Sequence, residues 1–579
     1  MRRIFIGCLS IIGLLSLLAI GGIAFVIVWT VGEVRHELGH GGKPVPDRAV
    51  LILDLNGSLS ERGGGLGLAD LTGKEPPSLR TISEALERAA SDSRVSALFA
   101  DLSGASLPLA RAQELREAVM RFRAAGKHAF AFADSFDEGA TNTQSFLLAT
   151  GFEQIWMQPS GQLGITGLSL ERPFAADLLN SIGVAPRLDQ RKEYKGGVDM
   201  FTRMSLSPEL RDSLTGLVKD LTDQVVKGIA ESRHMGEDEV RALIDQAPLD
   251  ARDALTAKLI DAVGYRDEAE VKLGANRTTR IDIADYLADA GAPNRSGTTI
   301  AVITGVGEIT RDTSAPGLTG PEGLSAKRIA EAFRQAVADS DVRAILFRID
   351  SPGGSYVASD TLWRAVHRAR DAGKPVVVSM GSLAASGGYF AAIAGDRIVA
   401  EPGTLTGSIG VFAGKFVLSG LWDKIGVAWA QVKDGAHAGE DSPNRDYTPE
   451  EWSHFEEELD RVYADFTGRV AADRKLPAAR MEELAGGRVW SGRQAQANGL
   501  VDLLGGFDTA LVETKRLAGL APDAPVKLKT FPAPRSLYER VSDTIQQVST
   551  LSATVGKLEQ FSTRLRTEQS LRLPWGTTP

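Results

Sequence analysis

Cysteine is almost absent from this chain of 579 residues: Cys8 is its only one. No intrachain disulfide can form, and neither a cysteine-based metal site nor a dithiol redox pair is available, although the redox compartment stays open on that count. Long basic runs are missing too, and 65 basic against 74 acidic residues leave a net charge of −9, which argues against a nucleic-acid partner. A single core is excluded by length, so two or more domains are expected.

What the chain does have is concentrated in residues 376–413, VVVSMGSLAASGGYFAAIAGDRIVAEPGTLTGSIGVFA. The apolar run Val376 to Val378 reads as a buried strand, and the string AASGGYF turns the chain into an apolar helix. Ser386 falls at that junction. Gly387 and Gly388 behind it permit close backbone approach and leave helix N-terminal N–H groups facing whatever Ser386 attacks. Strings of Ala, Ser and Gly also serve plain tight packing, so a second feature is needed. It lies upstream in DVRAILFRIDSPGGS, where a strand from Ala344 to Ile349 ends in a Pro-Gly-Gly turn before a helical pattern from Tyr356. The Gly354 N–H makes a second donor. Two such corners suit a tetrahedral oxyanion, each donor being worth about 2.7–4 kcal/mol of barrier.

The motifs IDSPGGS, MGSLAASGGYF and TLTGSIGVF resemble those of the signal peptide peptidase A family, and the resemblance extends over most of the chain. It implies an α/β fold made of a tandem duplication of a ββα-spiral (Clp/crotonase-like) domain, preceded by one transmembrane helix. It also implies a serine endopeptidase without a cofactor or metal.

Read in order, the chain opens with basic Arg2 and Arg3, then an uncharged apolar stretch from Ile4 to Thr30. About 27 residues make roughly 40 Å of helix, enough to cross a bilayer. A membrane anchor (1–30) is expected, with a cleaved signal peptide as the alternative. The positive short end favours a cytoplasmic amino terminus and a periplasmic body at a bacterial inner membrane. His36 to His40, HELGH, matches the zinc-peptidase pattern, but GGKPVP follows at once and would end any helix, so 31–47 is read as a juxtamembrane linker.

From Arg48 the chain repeats itself. RAVLILDLNGSLSE (48–61) answers TTIAVITGVGEITRD (298–312), and TISEALERAASDSRVSALFADL (81–102) answers RIAEAFRQAVADSDVRAILFRI (328–349). GVAPRLDQRKEYK (183–195) likewise answers GVAWAQVKDGAHA (426–438), and ARDALTAKLIDAVGYRD (251–267) answers RQAQANGLVDLLGGFD (493–508). The offsets stay within about 240–250 residues, so two copies, 48–290 and 298–525, are expected around an irregular AGAPNRSGT linker. Helices at 208–232 and 449–474 should project as arms, with Glu450, Glu451, Glu456, Glu457 and Glu458 as a solvated face rather than metal ligands. The remaining 526–579 reads as a helical tail whose seam, Val541 to Leu565, steps by three and four. It would dock on its own domain, contact another subunit or return to the membrane.

Comparing the copies suggests a base. Opposite Ser386 the first copy has GATNTQSF, with Asn142 or Thr143 at the nucleophile's place, and LSGAS replaces SPGGS. No His lies near Ser386 in sequence, and His367 is expected to face solvent among Arg364, Arg368 and Arg370. The GVA match sets Lys195 opposite Ala438, so each copy keeps one member of a pair that the other has lost. That complementarity makes sense if Ser386 and Lys195 meet across the junction between copies as a Ser-Lys dyad, with Lys192 as a nearby competitor. A lysine base must be neutral, which requires apolar surroundings.

The resemblance adds that EYKGGVDMF looks like the base-supplying segment of the family's long form, and that Ser408 in TLTGSIG would orient the lysine ammonium. Ser382 and Leu383, just before the nucleophile, leave subsite preference open. Signal-peptide remnants would be the substrates, residues 4–30 would enter the lipid bilayer, and the assembly would be a homotetramer. Two other readings compete: a crotonase-like acyl-CoA enzyme, sharing the paired glycine donors, and a catalytically dead membrane scaffold.

Overall fold

The computed structural model describes residues 44–61, 77–138, 143–312 and 323–533. The expected anchor, the HELGH segment and the seam from Val541 to Leu565 lie outside the described residues. Among the described residues no helix is long and apolar enough to cross a membrane.

The chain divides into two compact units, and the division does not follow the sequence repeats. Among the described residues, one unit holds those up to Leu170 together with Val218–Arg295, whereas the other holds Glu171–Leu217 and those from Ser296 onward. The expectation of an uninterrupted first domain at 48–290 is therefore corrected. A physical reason is visible in the sheet: Ala185–Arg191 pairs antiparallel with Val411–Val417, in a register running from Ala185↔Val417 to Arg191↔Val411. Once that ladder forms, its backbone groups are satisfied within the second unit.

In the first unit the strands Ala49–Ser58, Val95–Ser106, His128–Ala133 and Gln154–Met157 form a parallel sheet, extended by Ala262–Val263 at one edge and Arg280–Asp282 at the other. Helices Leu79–Ala90 and Leu109–Ala124 cross between its strands and bury Ile82, Leu86, Leu115 and Phe122 in its main core. Strands so covered carry near-continuous apolar runs, as parallel sheets in α/β proteins do.

The second unit repeats this order with Thr298–Val306, Val342–Ser351, Val376–Ala385, Arg397–Ala400 and Leu503–Leu504. Its far edge is Val526–Phe531, which pairs in parallel with Thr298–Ile303. The segment from Val526 was expected to begin a helical tail. It alternates apolar Val526 and Leu528 with Lys527 and Lys529, ends in buried Phe531, and completes the sheet instead.

The arm helices run from Pro208 to Arg233 and from Pro449 to Arg474. The second is more embedded than expected, since Phe466 and Val470 enter the core. Glu451 departs from the solvated face: it is buried, takes two hydrogen bonds from Arg445 at 2.6 and 2.7 Å, and closes a capping box with Thr448. The Arg445 guanidinium holds its carboxyl down at about 2.

Candidate active site

The strand Val376–Ala385 is what positions Ser386. Its lower half pairs with Ile345–Ile349, then its register shifts so that Ser351 faces Ala384. Asp350 braces the shifted segment by accepting a hydrogen bond from the Leu383 N–H at 3.1 Å. The upper end then pairs with Leu405–Gly407, and this second partner holds the strand straight up to the serine. Ser386 itself has φ +54° and ψ −121°, a conformation that costs a non-glycine residue on the order of 1–3 kcal/mol. Hydrogen bonds on both sides fix it: its N–H donates to Gly407 O at 2.9 Å, and its carbonyl accepts from the Phe390 N–H at 2.9 Å. The sharp turn presents Oγ at the mouth of the strand-to-helix corner.

Two backbone donors flank the serine. Gly387 is the first residue of the short helix Gly387–Ala392, so its N–H has no acceptor one turn back within that helix. Gly354 lies three residues past the neighbouring strand Val342–Ser351, where Ile309 donates to Gly353 O at 2.7 Å and accepts from the Ser355 N–H at 2.9 Å. This clamp needs glycine. At Gly354 a Cβ would lie 2.2 Å from Ile309 O, and at Gly353, with φ +102°, it would lie 2.7 Å from the Gly387 N.

Lys195 lies in the same unit as Ser386, reached through the Ala185–Arg191 ladder rather than across a junction between units. Its Nζ is 3.0 Å from Ser386 Oγ, 3.0 Å from Ser408 Oγ and 2.7 Å from Ser408 O. Ser408 is buried and has φ +50°, with its N–H donating to Arg488 O at 2.9 Å, so its hydroxyl and carbonyl are both turned to the ammonium. Lys195 is only partly buried as a residue, but its ammonium end is enclosed, and desolvation pushes its pKa down to about 7.

Some participants were not legible as such. Gly486 O accepts from the Tyr194 N–H at 3.0 Å, Arg488 stacks over the Tyr194 ring at 4.3 Å, and a Cβ on Gly487, with φ +86°, would be 2.6 Å from the Lys195 N. The adjacent glycines at 486 and 487 were the available signal, but nothing in sequence ties them to a residue so far upstream.

The alternatives fall elsewhere. Lys192 is exposed, its ammonium 5.9 Å from the centre of the Tyr463 ring. His367 does not face open solvent as expected: its ring centroid lies 4.1 Å from that of Trp363, and it lies 3.3 Å from Asp473, which draws it against the helix Pro449–Arg474. In the first copy, Asn142 is outside the described residues, and Thr143 is buried with its hydroxyl donating to Gly167 O at 3.1 Å.

A serine hydroxyl, an adjacent amine of lowered pKa and paired backbone donors are the parts of a serine hydrolase. Comparison with known proteins narrows the class. The family model described as peptidase family S49 matches residues 121–279 and 368–521, one stretch in each sequence repeat. Protease 4 of Salmonella typhi is 31% identical over 526 residues, covering 86% of this chain and 82% of that protein. The chloroplastic serine protease SPPA of Arabidopsis thaliana is 29% identical over 527 residues, covering 87% of this chain and 75% of its own length. Among solved structures, a membrane-bound stomatin-specific protease overlaps 42% of this chain and all of its own at 15% identity, with a TM-score of 0.26. The chain belongs to peptidase family S49, the signal peptide peptidase A family, and is a serine peptidase in two tandem α/β copies.

Proposed function

We propose that this protein is a membrane-anchored endopeptidase with a Ser-Lys dyad that degrades signal-peptide remnants and similar apolar peptides. The observation that carries the reading is the 3.0 Å approach of Lys195 Nζ to Ser386 Oγ, with an amine pKa of about 7. Neutral Lys195 takes the hydroxyl proton as Ser386 Oγ attacks the scissile carbonyl carbon, and the Gly354 and Gly387 N–H groups hold the oxyanion. The Lys195 ammonium then gives that proton to the departing amine, leaving an acyl-serine. Water, deprotonated by the same lysine, releases the acid and restores the hydroxyl. Ser408 keeps the ammonium on the serine by accepting from it through both oxygens. No metal or cofactor takes part in this scheme.

The wider setting is proposed on sequence grounds. The apolar stretch 4–30 supports a single-pass anchor with a cytoplasmic amino terminus and a periplasmic body. A ring of four is supported by the resemblance and by the exposed apolar side chains of Val427, Trp429 and Val432. The test is labelling with a fluorophosphonate. Wild type should label, and Ser386→Ala and Lys195→Ala should not; retained labelling of Lys195→Ala would overturn the dyad.

A further inference from the structure

The second sequence copy has lost the lysine, and the segment in its place carries a different set of groups. Residues 426–438 answer 183–195, so Ala438 stands where Lys195 would be, with His437 before it and Glu440 just after. His437, Glu440 and His454 converge, with one ligand-type atom from each lying within 4.8 Å of the others. His437 Nδ1 is 3.5 Å from Glu440 Oε2, and His454 Nδ1 is 3.4 Å from Glu440 Oε1. The two imidazole rings are tilted 35° to each other, with centroids 5.3 Å apart.

We propose that His437, Glu440 and His454 form a binding site for a late first-row divalent cation of the Zn2+ type, which ties the turn at Gly435–Glu440 to the helix Pro449–Arg474. Two imidazoles and a carboxylate are a zinc donor set, leaving a further position for water. The spacing carries the argument. Good N–H···O bonds are about 2.7–3.2 Å long, so neither His–Glu contact is a well-made hydrogen bond. Metal bonds of about 2.0–2.1 Å in a tetrahedron put neighbouring donor atoms about 3.4 Å apart; here each imidazole faces its own oxygen of the carboxylate, at 3.5 and 3.4 Å, and one ligand atom from each residue lies within 4.8 Å of the others, so the three are gathered close to that spacing. Bringing the two imidazoles equally close needs only rotation of side chains that are 52% and 58% exposed.

The backbone beneath is already set. Gly439 has φ +79°, and a Cβ there would lie 1.9 Å from Gln431 Nε2. The Glu440 N–H donates to His437 O at 3.1 Å, which puts both side chains on one side of the turn. Lys415 donates to Glu440 O at 2.6 Å, and Arg445 donates to Gly439 O at 3.0 Å. These cations hold the turn, while their charge works against a metal and keeps its affinity moderate. The corresponding segment of the first copy is fastened by the Lys195 contacts; here the ion would do the fastening.

The test uses the full chain. Zinc binding is measured by competition with a chromophoric chelator for wild type, His454→Ala, Glu440→Gln and the double variant His36→Ala/His40→Ala, which removes the histidines of HELGH. Cleavage between residues 427 and 447 by an added protease is followed with and without zinc. The expected result is at least tenfold weaker zinc binding in His454→Ala and Glu440→Gln, none of that loss in the His36/His40 variant, and protection from cleavage by zinc in wild type alone among the first three. Unchanged affinity in His454→Ala, or loss confined to the His36/His40 variant, would overturn the site. Peptide hydrolysis should be unchanged in both ligand variants.

Discussion

The two sequence copies share a strand order but differ where the middle strand ends. In the first copy it is His128–Ala133, six residues long; in the second it is Val376–Ala385, ten residues long. The extra length lets Leu383–Ala385 recruit Leu405–Gly407 and, beyond it, Val489–Ser491 into the main sheet. Their counterparts, Gln162–Leu163 and Leu249–Asp250, pair only with each other. The longer strand thus delivers Ser386 to a braced corner and brings Ser408, one residue beyond Gly407, alongside. The same sheet order holds the Lys195-contacted corner at Ser386 in one copy, while among the described residues of the other Thr143 is buried and donates to Gly167 O, because fold and site are separable.

Breaking the comparison at its centre should have the largest effect. Ser386→Ala is expected to lower kcat/KM on a fluorogenic peptide by at least about a thousandfold, with the folded state retained by circular dichroism. Gly353→Ala comes next: its Cβ would press on the Gly387 N and on Ser386 Cβ 2.9 Å away, displacing both oxyanion donors. A loss of about a hundredfold or more, mainly in kcat, is expected from steady-state kinetics.

Lys195 sharpens the comparison through pH. Its pKa of about 7 predicts that kcat/KM rises with pH and levels off above about pH 8. For stability the sign is the opposite of a favourable ion pair. A lysine whose folded pKa is depressed destabilises the fold fully below pH 7, and the penalty is relieved as pH rises from 7 toward the unfolded value of about 10.5. Near pH 7 the penalty is roughly 4 kcal/mol, so Lys195→Met should abolish activity yet raise the thermal midpoint at pH 7, with the gain shrinking by pH 10.

Ser408→Ala should cost less, about ten- to hundredfold in kcat/KM. Removing an acceptor from the ammonium also disfavours the charged form, so the midpoint of the pH profile should move to lower pH. Smallest of all are changes away from the corner. Lys192→Ala should leave kcat/KM within about twofold, and Thr143→Ala, which removes one buried hydroxyl hydrogen bond, should cost about 1 kcal/mol in denaturant unfolding without touching activity.

Much of this could be read before any coordinates. The alternation of strand and helix, the duplication and the nucleophile's strand-to-helix corner all follow from local patterns: apolar runs, turn glycines and self-similarity. Glu451 was misread because its solvated helix neighbours gave no sign of Arg445 folding back onto it, and Val526–Phe531 because six residues of weak alternation look like the start of a tail. For His367 the Trp363 contact lies one helical turn away and was available locally, whereas Asp473 reaches it only through packing of a distant helix.

By itself the sequence determined the two-copy plan and marked Ser386, with Lys195 and Lys192 as candidates for the base, since a lost residue in one copy points to a retained one in the other. Only the tertiary structure decided that Glu171–Leu217 leaves its own copy, with Ala185–Arg191 pairing with Val411–Val417. Strand pairing between distant segments is chosen by which partner satisfies the backbone and buries the right face, a choice no local pattern encodes. The same holds for the lysine's lowered pKa, which comes from the burial of its ammonium.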